Sequence, residues 1–165
     1  MIFILPFAIL MNTATASDTV VPAATAKNVT VSASTEAPEP VTAVKRMLSA
    51  HHPEDLPTGE EWRQFGDASA PLLWLAENGR LNYERERAMS ALRHYPSAAA
   101  KQLLLKAAID PETHFLVRMG AVRGLGGQHL KSDDCRALTK ADHSASKYLK
   151  QAIDKLLNGP ACQEE

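Results

Sequence analysis

The sequence predicts an all-α protein, a short solenoid of about three helical hairpins preceded by an N-terminal helical cap. Three observations predict it. Beyond residue 45, apolar and polar residues show little strict alternation, and Ala, Leu, Lys, Arg and Glu dominate. Helix start and stop residues punctuate this region at short intervals. The segments between them recur with a period of about 30–33 residues, the spacing of helix-turn-helix arrays.

Residues 1–16 read as a signal peptide. The run IFILPFAILM, residues 2–11, holds ten apolar residues. As a helix it is about 15 Å long, roughly half a bilayer core. Ala14-Thr15-Ala16 follows, a small-x-small pattern suited to cleavage before Ser17. No Lys or Arg precedes the apolar run, a departure from the usual pattern. The competing reading of the run is a buried N-terminal strand or helix. No cysteine sits near the cleavage point, so no lipid anchor is indicated. Export to a periplasm or to the outside is expected, with no membrane span after signal removal.

Residues 17–44 read as a flexible spacer. Ala, Thr, Val, Pro and Ser make up most of the stretch, and only Asp18, Lys27, Glu36 and Glu39 carry charge. Such a segment buries too little apolar area to offset its ordering entropy. Pro22, Pro38 and Pro40 oppose helix and sheet pairing. Asn28-Val29-Thr30 matches a glycosylation sequon, and a chance match in a Thr-rich tract explains it more simply.

Residues 45–165 form the expected repeat domain. An amphipathic stretch over 41–50 places Val44, Met47 and Leu48 on one face and stops at His51-His52-Pro53. Thr58-Gly59-Glu60-Glu61 has the spacing of a capping box and opens a short helix through Trp62 and Phe65. Trp62 and Trp74 are expected in the core of this cap. Helices are then expected over 69–78, stopped by Gly79; 82–95, stopped before Pro96; and from Ser97 to 109, broken at Asp110-Pro111. Three more follow: 112–125, ended by Gly126-Gly127; 132–141, capped by Ser132; and one capped by Ser144 that runs to Leu157.

The second helices superimpose. Arg85-Glu86-Arg87-Ala88-Met89-Ser90-Ala91-Leu92 lies over Arg118-Met119-Gly120-Ala121-Val122-Arg123-Gly124-Leu125 one period later, and the segment 149–156 follows at a slightly shorter offset. Leu75, Leu105 and Leu138 recur in the first helices. Ala88, Ala91, Ala121, Gly124 and Ala152 are small enough for close helix approach. Met89, Leu92, Val122, Leu125, Ile153 and Leu156 fill the space between layers. One hairpin cannot bury its own apolar face, so about three are needed.

The stretch Phe115-Leu116-Val117-Arg118-Met119-Gly120-Ala121-Val122-Arg123-Gly124-Leu125-Gly126 resembles the second helix of a HEAT repeat, the type also found in phycobilin-lyase-like repeats. The resemblance covers about residues 66–158. The first unit lacks the Val before its Arg and ends in Leu92-Arg93, and the third matches mainly by spacing. The resemblance implies a protein-binding scaffold and is almost silent on activity.

Cys135 falls in the first turn of the fifth repeat helix and Cys162 just past the sixth. Antiparallel hairpin topology brings those ends together, and an oxidising compartment favours a disulfide. Closing the loop between them stabilises by roughly 3–4 kcal/mol on a chain-entropy view. No CxxC spacing suggests a redox pair.

The composition points away from several functions. The net charge of −1 and pI near 6.6 oppose a nucleic-acid binder working by bulk electrostatics. Aromatics at 5% oppose a stacking platform. The six histidines, His51, His52, His94, His114, His129 and His143, show neither HExxH nor Cys/His zinc spacing. Repeated His-Glu pairs, which HEAT-like metal hydroxylases carry, are also missing. His51-His52 beside Glu54 and Asp55 is the one local cluster. His94 and His129 sit near helix ends, where the dipole favours positive charge. No catalytic residue, metal or cofactor is expected.

Arginines are the better candidates. Glu77 and Asp110 stand at equal distances before Arg85 and Arg118. One reading is a structural ladder in which each acid pairs with the arginine and ties adjacent repeats together. The functional reading has Arg85, Arg118 and Arg123 projecting from the inner face onto an acidic partner segment. The expected protein is thus an exported, non-catalytic module that binds another protein or peptide. Two alternatives are a self-associating structural domain of the cell envelope, forming a homo-oligomer, and a metal-binding protein or enzyme using the His51-His52 region.

Overall fold

A computed structural model describes residues 39–50, 57–141 and 146–162. The predicted signal peptide, most of the spacer, the His51-His52 cluster with Glu54 and Asp55, Ser144 and His143 lie outside these residues. Among the described residues all regular structure is helical.

Helix α1, Glu39–Ala50, starts inside the expected spacer. Pro40 falls in its first turn, where no intrahelical N–H is required, so it opens the helix rather than breaking it. Val41, Val44 and Leu48 are buried and Met47 half-buried. Helix α2, Gly59–Gln64, carries the predicted capping box in both directions: Glu61 N–H donates to Thr58 Oγ1 and Thr58 N–H to Glu61 Oε2. Trp62 is buried, its ring edge-on to Tyr95 at 5.9 Å, whereas Trp74 is only half-buried and Phe65 is exposed. Gly66, at φ 66°, supplies the left-handed turn out of α2.

Three hairpins follow. Helices α3 (Ser69–Asn78) and α4 (Asn82–Ala91) form the first, and α4 tightens into a 3-10 turn over Leu92–His94 ahead of Pro96. Helices α5 (Ala98–Ile109) and α6 (Phe115–Leu125) form the second. Ser97 Oγ caps α5 by accepting from Ala100 N–H at 3.1 Å. Helix α6 starts later than expected because Asp110 folds the intervening residues into a turn, accepting from Glu112 N–H and Thr113 Oγ1. Helices α7 (Ser132–Ala141) and α8 (Lys147–Leu157) form the third, followed by a 3-10 turn over Pro160–Cys162. Ser146 rather than Ser144 caps α8, accepting from Leu149 N–H.

Neighbouring second helices pack side by side, α4 on α6 and α6 on α8, while α5 packs on α7 and α1 covers α3 and α4. The expected layer-filling residues are all buried. In the first helices, Leu104 rather than Leu105 joins Leu75 and Leu138 in full burial. Among the small residues, Ala88, Ala91, Ala121 and Gly124 are buried and Ala152 is half-buried.

The tightest approach is between α4 and α6, and glycine permits it. A Cβ on Gly120 would stand 2.3 Å from the Glu86 carbonyl, one on Gly124 2.3 Å from that of Met89, and one on Gly127 2.2 Å from that of Arg93. These partners advance together along both segments, so α4 and α6 run parallel.

Candidate functional site

The three predicted binding arginines do not converge on one surface. Arg118 is 5% exposed, and its Nε and Nη2 both donate to the Ala108 carbonyl at 3.1 and 3.0 Å. It closes the C-terminal end of α5 and is withdrawn from any partner, because turning it outward would orphan that carbonyl. Arg85 is half-buried and donates to the Ala76 carbonyl near the end of α3, at 3.0 Å. Arg87 repeats the device on α1, donating to the Leu48 carbonyl. These arginines therefore cap helix ends within or beside their own hairpin. The expected pairing with Glu77 and Asp110 is replaced by carbonyl capping. The Asp110 carboxyl is still held below its ordinary pKa, first by the Glu112 N–H and the Thr113 hydroxyl, with Arg118 and Lys106 adding to it.

Of the three, only Arg123 is exposed, and it pairs with Glu86 across α6 and α4 at 2.8 Å. Other ties cross between hairpins. Lys101 reaches Asp134 at 3.2 Å. Buried Gln128 accepts from Ser97 N–H at 3.2 Å and donates to the Leu92 carbonyl at 3.0 Å. Cys135 and Cys162 are joined in a disulfide with their Cα atoms 6.1 Å apart, as the hairpin topology requires.

His94 is half-buried, and its Nε2 accepts from Arg93 Nε at 3.1 Å. Burial first, and the Arg93 charge second, hold its pKa below the ordinary value. Burial and Arg93 together therefore outweigh the charge-favouring role expected of the helix end. His114 caps α6 through Nδ1, and His129 is exposed. Among the described residues no group of three or more metal-ligating side chains is assembled, and no helix is long and apolar enough to cross a membrane.

The surface that sequence reading missed lies on the outer stripe of α4, α6 and α8. Tyr83, Leu116 and Tyr148 are 46%, 41% and 63% exposed. Each stands immediately before the first buried residue of its helix, Glu84, Val117 and Leu149. They therefore share one face and one end of three adjacent helices, spaced about 8–10 Å from axis to axis. Leu81 and Phe115 extend the same edge.

Two turns on from Leu116 and Tyr148, hence on the same stripe and about 10 Å along it, stand Arg123 and Lys155. With Arg93 they rim a cavity of about 370 Å³ between α6 and α8, floored by Val122, Ala152 and Leu156. No acidic side chain lines it among the described residues. Arg85 opens instead on a separate cavity of about 280 Å³ with Glu77 and Asp110. The missed residues carried a readable signal: Tyr83, Leu116 and Tyr148 recur at the repeat period, as do Arg123 and Lys155, whereas Arg93 has no such equivalent. Only their exposure, which periodicity does not report, separates them from core.

Comparison with family models, curated proteins and solved structures returned no match.

Proposed function

We propose that this chain is an exported, non-catalytic protein-binding module, a short solenoid of three HEAT-like hairpins that presents its second helices to a protein or peptide partner. The observation that carries the reading is the row Tyr83, Leu116 and Tyr148, three large apolar side chains exposed at equivalent positions of adjacent helices. Single exposed apolar residues are ordinary on protein surfaces, but three large ones at equivalent positions of adjacent helices favour an interaction site. The order of helix packing supports the solenoid. The Cys135–Cys162 bridge supports an oxidising compartment.

Selection from a random peptide library on the immobilised protein tests it. Enrichment of related sequences that lose binding to a Tyr83→Ser/Leu116→Ser/Tyr148→Ser variant is expected. All three sites are exposed, so the variant keeps its fold, which circular dichroism checks. No enrichment, or enrichment indifferent to the variant, overturns the reading.

A further inference from the structure

We infer that the groove between α6 and α8 selects an acidic peptide segment carrying one apolar anchor side chain, a specificity that rests on the binding-module reading above. The groove combines two features. Its floor of Val122, Ala152 and Leu156 is apolar, and its volume of about 370 Å³ admits a large side chain together with adjoining peptide backbone. Its rim carries Arg93, Arg123 and Lys155 with no lining carboxylate among the described residues.

The fold uses up one of these charges, since Glu86 pairs with Arg123. The other two make no ion pair among the described residues, where Arg93 engages the neutral-favouring His94 ring through Nε. All three cations stand in last helical turns, where the carbonyls bear about half a negative charge per helix. Those carbonyls already accept from the N–H groups of Gly126, Gly127, Asn158 and Gly159 and from the Gln128 amide. The Arg93 guanidinium edge and the Lys155 ammonium are therefore left with hydrogen-bond capacity on either side of an apolar slot. Carboxylates spaced along a peptide satisfy it, and Leu116 and Tyr148, each two helical turns or about 10 Å along its helix from the rim, continue the contact. A net charge of −1 over the whole chain favours this local match over an extended polyanion or a lipid surface, which require a broad basic field.

Fluorescence anisotropy on the full chain with three labelled synthetic peptides tests the inference. The peptides share one Leu- and Phe-containing frame, with its polar positions filled by Glu, by Gln or by Lys. The Glu peptide is expected to bind most tightly and to weaken with added salt. The double variant Arg93→Glu/Lys155→Glu should lose roughly a hundredfold in affinity for the Glu peptide and gain binding of the Lys peptide. That exchange of preference cannot come from unfolding. Lys140→Glu, an exposed α7 site, should change nothing. Ala152→Trp, which fills the slot, should weaken binding of the Glu peptide at unchanged charge. Preference for the Gln or Lys peptide, or indifference to the double variant, overturns the inference and leaves the binding-module reading standing. Failure of all three peptides, together with failure of the library selection, removes both.

Discussion

Gly120 of α6 lies directly against the backbone of Glu86 in α4, so close that a methyl group on its Cα would stand 2.3 Å from the Glu86 carbonyl oxygen. The neighbour is backbone, which cannot swing aside as a side chain end can. Two effects therefore compete when Gly120 becomes Ala. Helix propensity favours Ala by about 1 kcal/mol, and overpacking opposes it by about 1–3 kcal/mol or more. Because the neighbour is backbone the clash wins, and Gly120→Ala is expected to destabilise by up to about 2 kcal/mol net in urea denaturation. A stabilised variant would show that α4 and α6 are not held at this distance.

Arg118 provides a second test, which separates fold from recognition. Arg118→Met keeps much of the apolar stem but removes both donors to the Ala108 carbonyl. Losing hydrogen bonds from a charged, buried donor costs about 2–3 kcal/mol. The denaturant midpoint should fall accordingly, while affinity for any ligand, measured on the folded fraction, stays unchanged. A loss of affinity at full stability would return Arg118 to the binding surface.

The disulfide bears on the third hairpin. Cys135 and Cys162 stand at a sequence separation of 27, so opening the bridge restores loop freedom worth roughly 3–4 kcal/mol to the unfolded chain. Reduction, or the pair Cys135→Ser/Cys162→Ser, should lower stability by about that amount. Hydrogen exchange should quicken first in α7 and α8. Equal exchange with and without reductant would contradict it.

His94 sets a pH dependence of definite sign. Burial and Arg93 lower its pKa in the folded chain below the ordinary value of about 6.5. The unfolded chain then takes up a proton before the folded one does. The contribution is complete above pH of about 6.5 and is lost as pH falls through the lower, folded value. An imidazole titration by NMR should place His94 below 6.5, and His94→Gln should flatten the dependence of the urea midpoint in that interval. A folded value above 6.5 would reverse the argument.

The helices and the pairing of the cysteines were legible in residue order. Thr58 with Glu61, Ser97, Gly79 and Pro96 act within a few residues of themselves, so their effect is local and readable. The offset between α4 and α6 is likewise a property of residue order, and it aligned the small and large slots correctly. Which arginines are available was settled by packing instead. Arg118 and Arg123 look alike in sequence, yet one faces the end of α5 and the other faces solvent, a difference set by rotation about the α6 axis against its neighbours. Packing also moved the first-helix core from Leu105 to Leu104, and it gathered Arg93, Arg123 and Lys155, from three different helices, around one groove. Such a gathering depends on how far apart and at what angle helices lie, and in α4 and α6 that distance was set by Gly120 meeting the backbone of Glu86, in the preceding hairpin of the chain.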